Sequence, residues 1–137
     1  MLADVQFDVR DRVVVARVTG EVDLSNAPHL CDAIGDVTPN PALGVVLDLR
    51  TVDYLDSAGI HLIYRLRRNL RARGQKLMLA IPMQSPVQDS LRLAGVTHHL
   101  PIAPSVDEAL ADFAPAETGQ APVEALDRDA PQGEPAV

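Results

Sequence analysis

The chain has 137 residues, and 47% of them are apolar, which is enough to bury the core of one domain. Its formal net charge of −7 disfavours nonspecific nucleic-acid binding, and its four aromatic residues argue against a stacking platform for bases or sugars. The sequence has a single cysteine and no signal segment, and no apolar run comes near the roughly 18 residues of a membrane span. These features predict a cytoplasmic protein without membrane contact.

The amino-terminal third predicts two antiparallel strands and a short helix. Apolar and polar residues alternate over residues 5–9, and a β-branched run follows over residues 13–18. The two polar residues just before the second run suggest a hairpin turn. The next segment, EVDLSNAPHLCDAIGD, offers a helix cap at Ser25 or Asn26, and we expect Gly35 to end that helix.

Three further strand–helix pairs follow. GVVLDL, residues 44–49, is typical of a strand buried on both faces, and residues 60–73 form the longest predicted helix, with leucines four apart on one stripe. KLMLAI predicts a strand, SPVQDSLRLAG a helix capped by Ser85 and ended by Gly95, and HHLPIA a last strand. SVDEALADF begins with a capping-box pattern at Ser105.

The order β-β-α-β-α-β-α-β-α predicts an α/β fold. Strands joined through helices run parallel with right-handed crossovers, so we expect a mixed, mostly parallel sheet with an N-terminal antiparallel hairpin and about four helices. The loops leaving the carboxyl ends of parallel strands meet along one edge, where sites usually form. This places GEVDLS near VDYLDSAG and brings Asp23 toward Ser57.

Ser57 is the residue that most needs an explanation. It stands at a strand-to-helix turn in LDLRTVDYLDSAGI, with Asp53 and Asp56 before it and Ala58 and Gly59 after it. Three roles are open: a helix cap contributing about 1 kcal/mol, the nucleophile of a hydrolase, or the acceptor of a regulatory phosphate. The hydrolase is disfavoured because D-S-A-G lacks the first glycine of the G-x-S-x-G elbow, and no histidine is well placed as its base.

Other catalytic and binding motifs are missing from the sequence. There is no H-x-x-x-H, paired C-x-x-C or calcium-loop spacing, and no glycine-rich loop to cradle a nucleotide phosphate. A phospho-aspartate receiver domain has an acidic pair after its first strand and a lysine late in the chain. The only lysine here is Lys76, which disfavours that class. We therefore expect no metal, no cofactor and no catalytic residue, and a protein that is not an enzyme.

Roughly residues 3–114 resemble a STAS domain, specifically a bacterial anti-sigma factor antagonist. The resemblance rests on GEVDLSNAPHL, VVLDLRTVDYLDSAGIHLI and LRLAGVTHHLPIAPSVDEAL. The middle segment is the most specific, because it joins a buried strand to a D-S-x-G turn and a long helix. The resemblance implies that Ser57 is phosphorylated by a partner that is both a serine kinase and an anti-sigma factor. Family members often carry a second serine after the first, where this chain has Ala58.

The resemblance also implies partner switching in the control of transcription. The unphosphorylated antagonist binds the anti-sigma factor serine kinase, which then releases its sigma factor; phosphorylation blocks binding, and a PP2C-type serine phosphatase reverses it. Asp23 matches an acidic position of the partner-binding surface, which we expect to include Asp56, Ser57, Ala58 and Gly59, on a monomer or weak dimer. The alternative is a structural or regulatory STAS module of a stress-signalling or transport complex.

Charge is divided unevenly between the predicted STAS domain, residues 1–114, and the rest of the chain. Residues 115–137 are rich in Pro, Ala and acids, and we expect a disordered tail. The tail holds five acidic residues against Arg128, a net charge of −4, which leaves −3 for the first 114 residues. Within the domain, the basic run of residues 65–76 is either a solvated helix face or a docking patch for an acidic partner or the chain's own tail.

Overall fold

The computed structural model describes residues 3–113, which form one five-stranded sheet with four helices. The predicted tail lies outside the described residues. The elements are, in chain order, β1 (Asp4–Arg10), β2 (Val13–Val22), α1 (Ala27–Val37), β3 (Gly44–Leu55), α2 (Ser57–Ala72), β4 (Lys76–Ala80), α3 (Pro86–Leu93), β5 (Ile102–Ala103) and α4 (Val106–Ala111).

The strands of the sheet have the predicted directions. Its strands lie in the order β1-β2-β3-β4-β5, with β1 and β2 antiparallel and every other neighbouring pair parallel. The α/β class, the N-terminal hairpin and the four helices are therefore confirmed. Within residues 3–113, no helix is long and apolar enough to cross a membrane.

Two layers of helix cover the sheet. Helices α1, α2 and α3 pack on one face, where the predicted stripe of Leu62, Leu66 and Leu70 is buried against the strands. Helix α4 covers part of the other face with Val106 and Ala109. Full burial of one such leucine stabilises the fold by about 1.5–3 kcal/mol, so the larger face carries most of the hydrophobic stabilisation.

The hairpin turn between β1 and β2 uses left-handed backbone. Asp11 and Arg12 have φ angles of 51° and 68°, as the two central residues of a type I′ turn require. Arginine rarely adopts this conformation, but the Arg12 guanidinium donates to the Pro41 carbonyl at 2.8 Å and its own carbonyl accepts from the Leu43 amide at 2.8 Å. These two contacts hold the turn against the loop that precedes β3.

Strands β2 and β3 are longer than predicted, and the extra length positions the site. The sequence predicted strands over residues 13–18 and 44–49, whereas the strands continue to Val22 and Leu55. Their pairing shifts in register near Gly20, whose φ is 100°. The extensions contain exposed polar residues, which hid them from a search for apolar runs. They carry both strands to the edge where Asp23 and Asp56 follow.

The prediction that Gly35 ends α1 is wrong. The helix continues to Val37 and ends at Thr38, whose hydroxyl donates to the Ile34 carbonyl at 2.7 Å. Glycine ends a helix when the chain needs a positive φ, and Gly35 does not have one. In contrast, Gly74 and Gly95 follow α2 and α3 with φ angles of 72° and 73°, as glycines that end helices do.

The predicted N-terminal caps of α3 and α4 are confirmed, whereas the last strand is shorter than predicted. The hydroxyls of Ser85 and Ser105 accept from the backbone amides of the residues three positions further on, each at 3.1 Å. The predicted strand HHLPIA is reduced to its last two residues, because Thr97–His99 form a 3₁₀ turn.

Candidate functional site

The ends of β2 and β3 bring the two predicted site segments together. Val22 pairs with Leu55, and the Asp56 amide donates to the Val22 carbonyl at 3.2 Å. Gly59, in the first turn of α2, packs against both strand ends so closely that a Cβ there would lie 2.3 Å from Leu55 Cδ1. The turn that contains Ser57 therefore lies beside the loop that begins with Asp23.

Asp56, not Ser57, caps α2. The Asp56 backbone is extended, and its Oδ1 accepts from the amides of Ala58 at 2.8 Å and Gly59 at 3.1 Å. These two bonds satisfy amide groups that a helix start otherwise leaves without partners. The interpretation of Ser57 as the cap is therefore wrong, since Ser57 is the first residue of the helix itself.

The Ser57 side chain is exposed and takes no part in holding the turn. Its hydroxyl makes no hydrogen bond to any residue between 3 and 113. In particular, His61 is exposed one turn along the same helix and does not contact it as a base would. The hydroxyl is available to a partner, but nothing around it makes it a nucleophile.

Asp56→Ala is expected to lower the free energy of unfolding by about 1 kcal/mol, because the variant loses both cap bonds. Urea denaturation followed by circular dichroism measures the change. Asp53→Ala is the matched control, since Asp53 is exposed and its side chain bonds to none of residues 3–113. Equal stability of the two variants would contradict the capping role of Asp56.

The loop after β2 is held by its own polar side chains. The Asp23 carboxylate accepts from the Ser25 hydroxyl at 2.5 Å and from the Ser25 amide at 2.9 Å. These two bonds lower the pKa of Asp23, because they stabilise the ionised carboxylate. Asn26 is buried and accepts from the Asp23 amide while its own amide group donates to the Glu21 carbonyl, so it braces the loop instead of capping α1.

A groove between α1 and α2 adjoins the Ser57 turn. It encloses about 370 Å³ and is reached from the turn through Ala58, which lines it. Leu24 lies at its edge with 76% of its surface exposed, and no sequence pattern pointed to it. The groove, called the α1/α2 groove below, is lined by Leu24, Ala27, Pro28, Cys31, Ala58, His61, Leu62, Tyr64, Arg65 and Arg68.

The basic run of residues 65–76 does not form one surface. Arg67 donates to the His99 carbonyl at 2.9 Å, on the side of α2 away from the groove. Arg73 ties down the segment after α1, donating to the Gly35 carbonyl at 3.3 Å and to Asn40 Oδ1 at 3.1 Å. Lys76 pairs with Asp112. Only Arg65 and Arg68 of the run line the groove.

The other face of the sheet carries a buried charge that the sequence analysis missed. Asp48 is 1% exposed and accepts two hydrogen bonds from the Arg50 guanidinium, both at 2.9 Å. This pairing raises the pKa of Arg50, so the buried carboxylate stays neutralised. Alternation in GVVLDLR could have indicated that Asp48 faces inward with Val46, but the pair belongs to the sheet and not to the Ser57 turn.

Among residues 3–113, no three His, Cys, Asp or Glu side chains are grouped to hold a metal ion.

Comparison with known proteins shows the relationship. Residues 4–109 match the family model of the STAS domain. BtrV of Bordetella bronchiseptica, provisionally named an anti-sigma factor antagonist, is 28% identical over 107 residues, covering 78% of this chain and 91% of BtrV. An anti-sigma factor antagonist from Mycobacterium paratuberculosis has a crystal structure with a TM-score of 0.68 and 26% identity, covering 82% of this chain and 94% of that one.

The Bacillus protein SpoIIAA in its phosphorylated form shares the fold at lower identity. Its TM-score is 0.59 at 20% identity, with 81% of this chain and all of the SpoIIAA chain covered. Since the family match spans more than three quarters of the sequence, the protein belongs to the STAS domain family.

Proposed function

We propose that this STAS domain is an anti-sigma factor antagonist that binds an anti-sigma factor serine kinase when Ser57 is unphosphorylated, and thereby frees a sigma factor. The observation that carries the proposal is the exposed hydroxyl of Ser57, which is left without a structural role because Asp56 caps the helix. The names of the relatives from Bordetella and Mycobacterium support the same role. The protein is a regulatory binding partner, not an enzyme.

Phosphorylation of Ser57 would change the charge of this surface without unfolding it. Amides in the first turn of a helix can bind a phosphate, but Asp56 already bonds to those of Ala58 and Gly59. A phosphate on Ser57 therefore projects from the start of α2 and adds a charge of about −1.5 to −2 beside the Asp56 carboxylate. The fold accommodates the group in SpoIIAA, which has been solved in unphosphorylated and phosphorylated forms.

The partner-binding surface in this proposal is the edge formed by the ends of β2 and β3. Asp23 and Asp56 supply fixed charge, and Ser57 and Ala58 supply a small neutral surface at the start of α2. Gly59 is buried, so its contribution is to bring α2 close to the strand ends. Tyr54 is exposed and belongs to a residue type that often dominates binding energy at interfaces, and the exposed Leu24 adds apolar surface at the same edge.

The proposed cycle is reversible and takes place in the cytoplasm. The kinase transfers the γ-phosphoryl group of ATP to the Ser57 oxygen, and the phosphorylated antagonist dissociates. A PP2C-type serine phosphatase hydrolyses the ester and restores the binding form. The exposure of Ser57 supports this step, because both enzymes need access to the oxygen.

Intact-mass spectrometry tests the proposal. The chain is incubated with ATP and, one at a time, with the anti-sigma factor kinases encoded in the same genome, and we expect one of them to add a single phosphoryl group on Ser57. Ser57→Ala is the control and should gain no mass. If a kinase binds the chain but does not phosphorylate it, the protein is an antagonist that is controlled in another way. If no kinase modifies or binds the chain, it is instead a structural or regulatory STAS module.

A further inference from the structure

The α1/α2 groove is an uncovered apolar surface next to the Ser57 turn. Ala27, Cys31 and Leu62 are buried at its floor, while Leu24 at its edge is 76% exposed. An exposed apolar surface of this kind, bordered by charged side chains, is typical of a site where another peptide segment binds.

The rim of the groove on α2 is cationic. Arg68 donates no hydrogen bond to any residue from 3 to 113. Arg65 forms an exposed salt bridge with Asp32 at 3.5 Å, and such a pair contributes little to stability. Both guanidinium groups lie close enough to the floor to lower the pKa of Cys31, although burial is the larger effect and raises it. An acidic segment would gain two cations here.

The chain carries a segment of the complementary chemistry outside the described residues. Within the acidic region 115–137, the sequence PVEALDRD places Val123 and Leu126 three residues apart, with Glu124, Asp127 and Asp129 beside them. Two apolar side chains match a groove of about 370 Å³. The three carboxylates and Arg128 of the same segment give it a net charge of −2, which matches the two arginines of the groove.

The connecting chain is long enough to reach the groove. Phe113 lies beside Gly44 and Lys76, at the start of β3 and β4 and thus at the opposite edge of the sheet from Ser57. The 16 residues of α2 span about 24 Å, and Arg65 and Arg68 lie near its middle. Phe113 packs with α4 on the other face of the sheet, so the chain must also pass roughly 20 Å of packed layers, which gives a straight-line distance of about 23 Å to the groove. Ten extended residues after Phe113 cover up to about 33 Å, which exceeds that distance. A tether of this length gives an effective concentration of millimolar order, so even a weak contact is populated.

We propose that residues 122–130 dock in the α1/α2 groove of the same chain, with Val123 and Leu126 on its floor and the carboxylates toward Arg65 and Arg68. The docked segment covers Ala58, which lies in the Ser57 turn and lines the groove. If the proposed function holds, the segment therefore competes with the kinase and sets a threshold for binding.

Amide chemical shifts of the full ¹⁵N-labelled chain test the docking directly. The variant Glu124→Gln/Asp127→Asn/Asp129→Asn removes three charges with little change in shape. We expect it to shift the amides of α1 and of α2 from Ala58 to Arg68 while leaving those of α4 in place. The matched control, Glu117→Gln/Glu134→Gln, changes charges outside the segment and should leave the groove amides unshifted. Shifts confined to the altered tail would overturn the proposal.

Alkylation of Cys31 gives a second readout, because it is the only cysteine and lies at the floor of the groove. We expect iodoacetamide to modify the triple variant severalfold faster than the native chain, and 0.5 M salt to accelerate the native chain similarly, since salt screens exposed charges. Arg68→Gln should give a smaller increase, because losing this cation also raises the pKa of Cys31, and it should not accelerate the triple variant further. Equal rates in all these cases would show that the segment does not cover Cys31 and would contradict docking at the floor of the groove.

The kinase affinity separates this inference from the proposed function. We expect the triple variant to bind the kinase severalfold more tightly than the native chain. Docking seen by chemical shifts without that gain would refute the competition and leave the docking intact. Conversely, kinase binding that is insensitive to Ser57 substitution would refute the proposed switch, whatever the chemical shifts show.

Discussion

Ser57→Asp is expected to weaken binding to the anti-sigma factor kinase by at least about 100-fold, whereas Ser57→Ala should bind as tightly as the native chain. A partner surface fitted to a small neutral hydroxyl must desolvate and repel the new carboxylate. A penalty of about 2.7 kcal/mol is enough to produce this change. Isothermal titration calorimetry with the purified kinase, in the absence of ATP, measures both dissociation constants.

Asn69→Asp is the matched control for that experiment. Asn69 is exposed on the same helix, and its replacement adds one negative charge at almost constant size, three turns from Ser57. This variant should bind within about twofold of the native affinity, because charges separated by more than a Debye length of about 8 Å interact weakly at physiological salt. Equal affinities for Ser57→Asp and Ser57→Ala would contradict the switch, and a similar loss for Asn69→Asp would reduce it to an effect of net charge.

Elements whose signals are local were predictable from the sequence. The leucines at 62, 66 and 70 repeat at helical spacing, so their burial follows from the pattern alone. The hairpin follows from an alternating run and a β-branched run with two polar residues just before the second. The caps at Ser85 and Ser105 follow from the helix-start patterns at these two residues. In these places the local preference and the tertiary structure favour the same conformation.

The cap of α2 was not predictable, because Asp56 and Ser57 are adjacent and both residue types cap helices well. A contact distant in sequence decides between them. The Asp56 amide donates to the Val22 carbonyl, which continues the pairing of β3 with β2 by one residue and holds Asp56 in extended backbone. The helix can then begin only at Ser57. The availability of Ser57 thus depends on how far two strands run together, and neither strand end had a sequence signal.

The residues of the basic run point in different directions because of helix geometry. Successive residues of a helix are rotated by about 100°, so Arg67 cannot share a face with both Arg65 and Arg71. The structure assigns Arg67 to the side of His99, and Arg65 with Arg68 to the side of α1. The net charge of the run therefore overstated the cationic surface available to a partner.

Gly59→Ala is expected to lower the free energy of unfolding by about 1–3 kcal/mol, the usual cost of inserting a methyl group into a packed interior. The added Cβ would lie 2.3 Å from Leu55 Cδ1 and 2.8 Å from Leu55 Cγ. Leu55 is 3% exposed, and Val22, on the other side, is 2% exposed. The Leu55 side chain therefore cannot move aside without disturbing the core, and the start of α2 must shift instead.

Gly35→Ala is the matched control, and its effect should have the opposite sign. Gly35 is also helical, but an added Cβ there would meet nothing within 4 Å, so the variant should be about 1 kcal/mol more stable than the native chain. Urea denaturation of both variants measures the pair. Because Gly59 sets the distance between α2 and the strand ends, Gly59→Ala should also slow phosphorylation of Ser57, whereas Gly35→Ala should not. A Gly59→Ala chain that is as stable and as readily modified as Gly35→Ala would show that close packing beneath the turn does not position the serine.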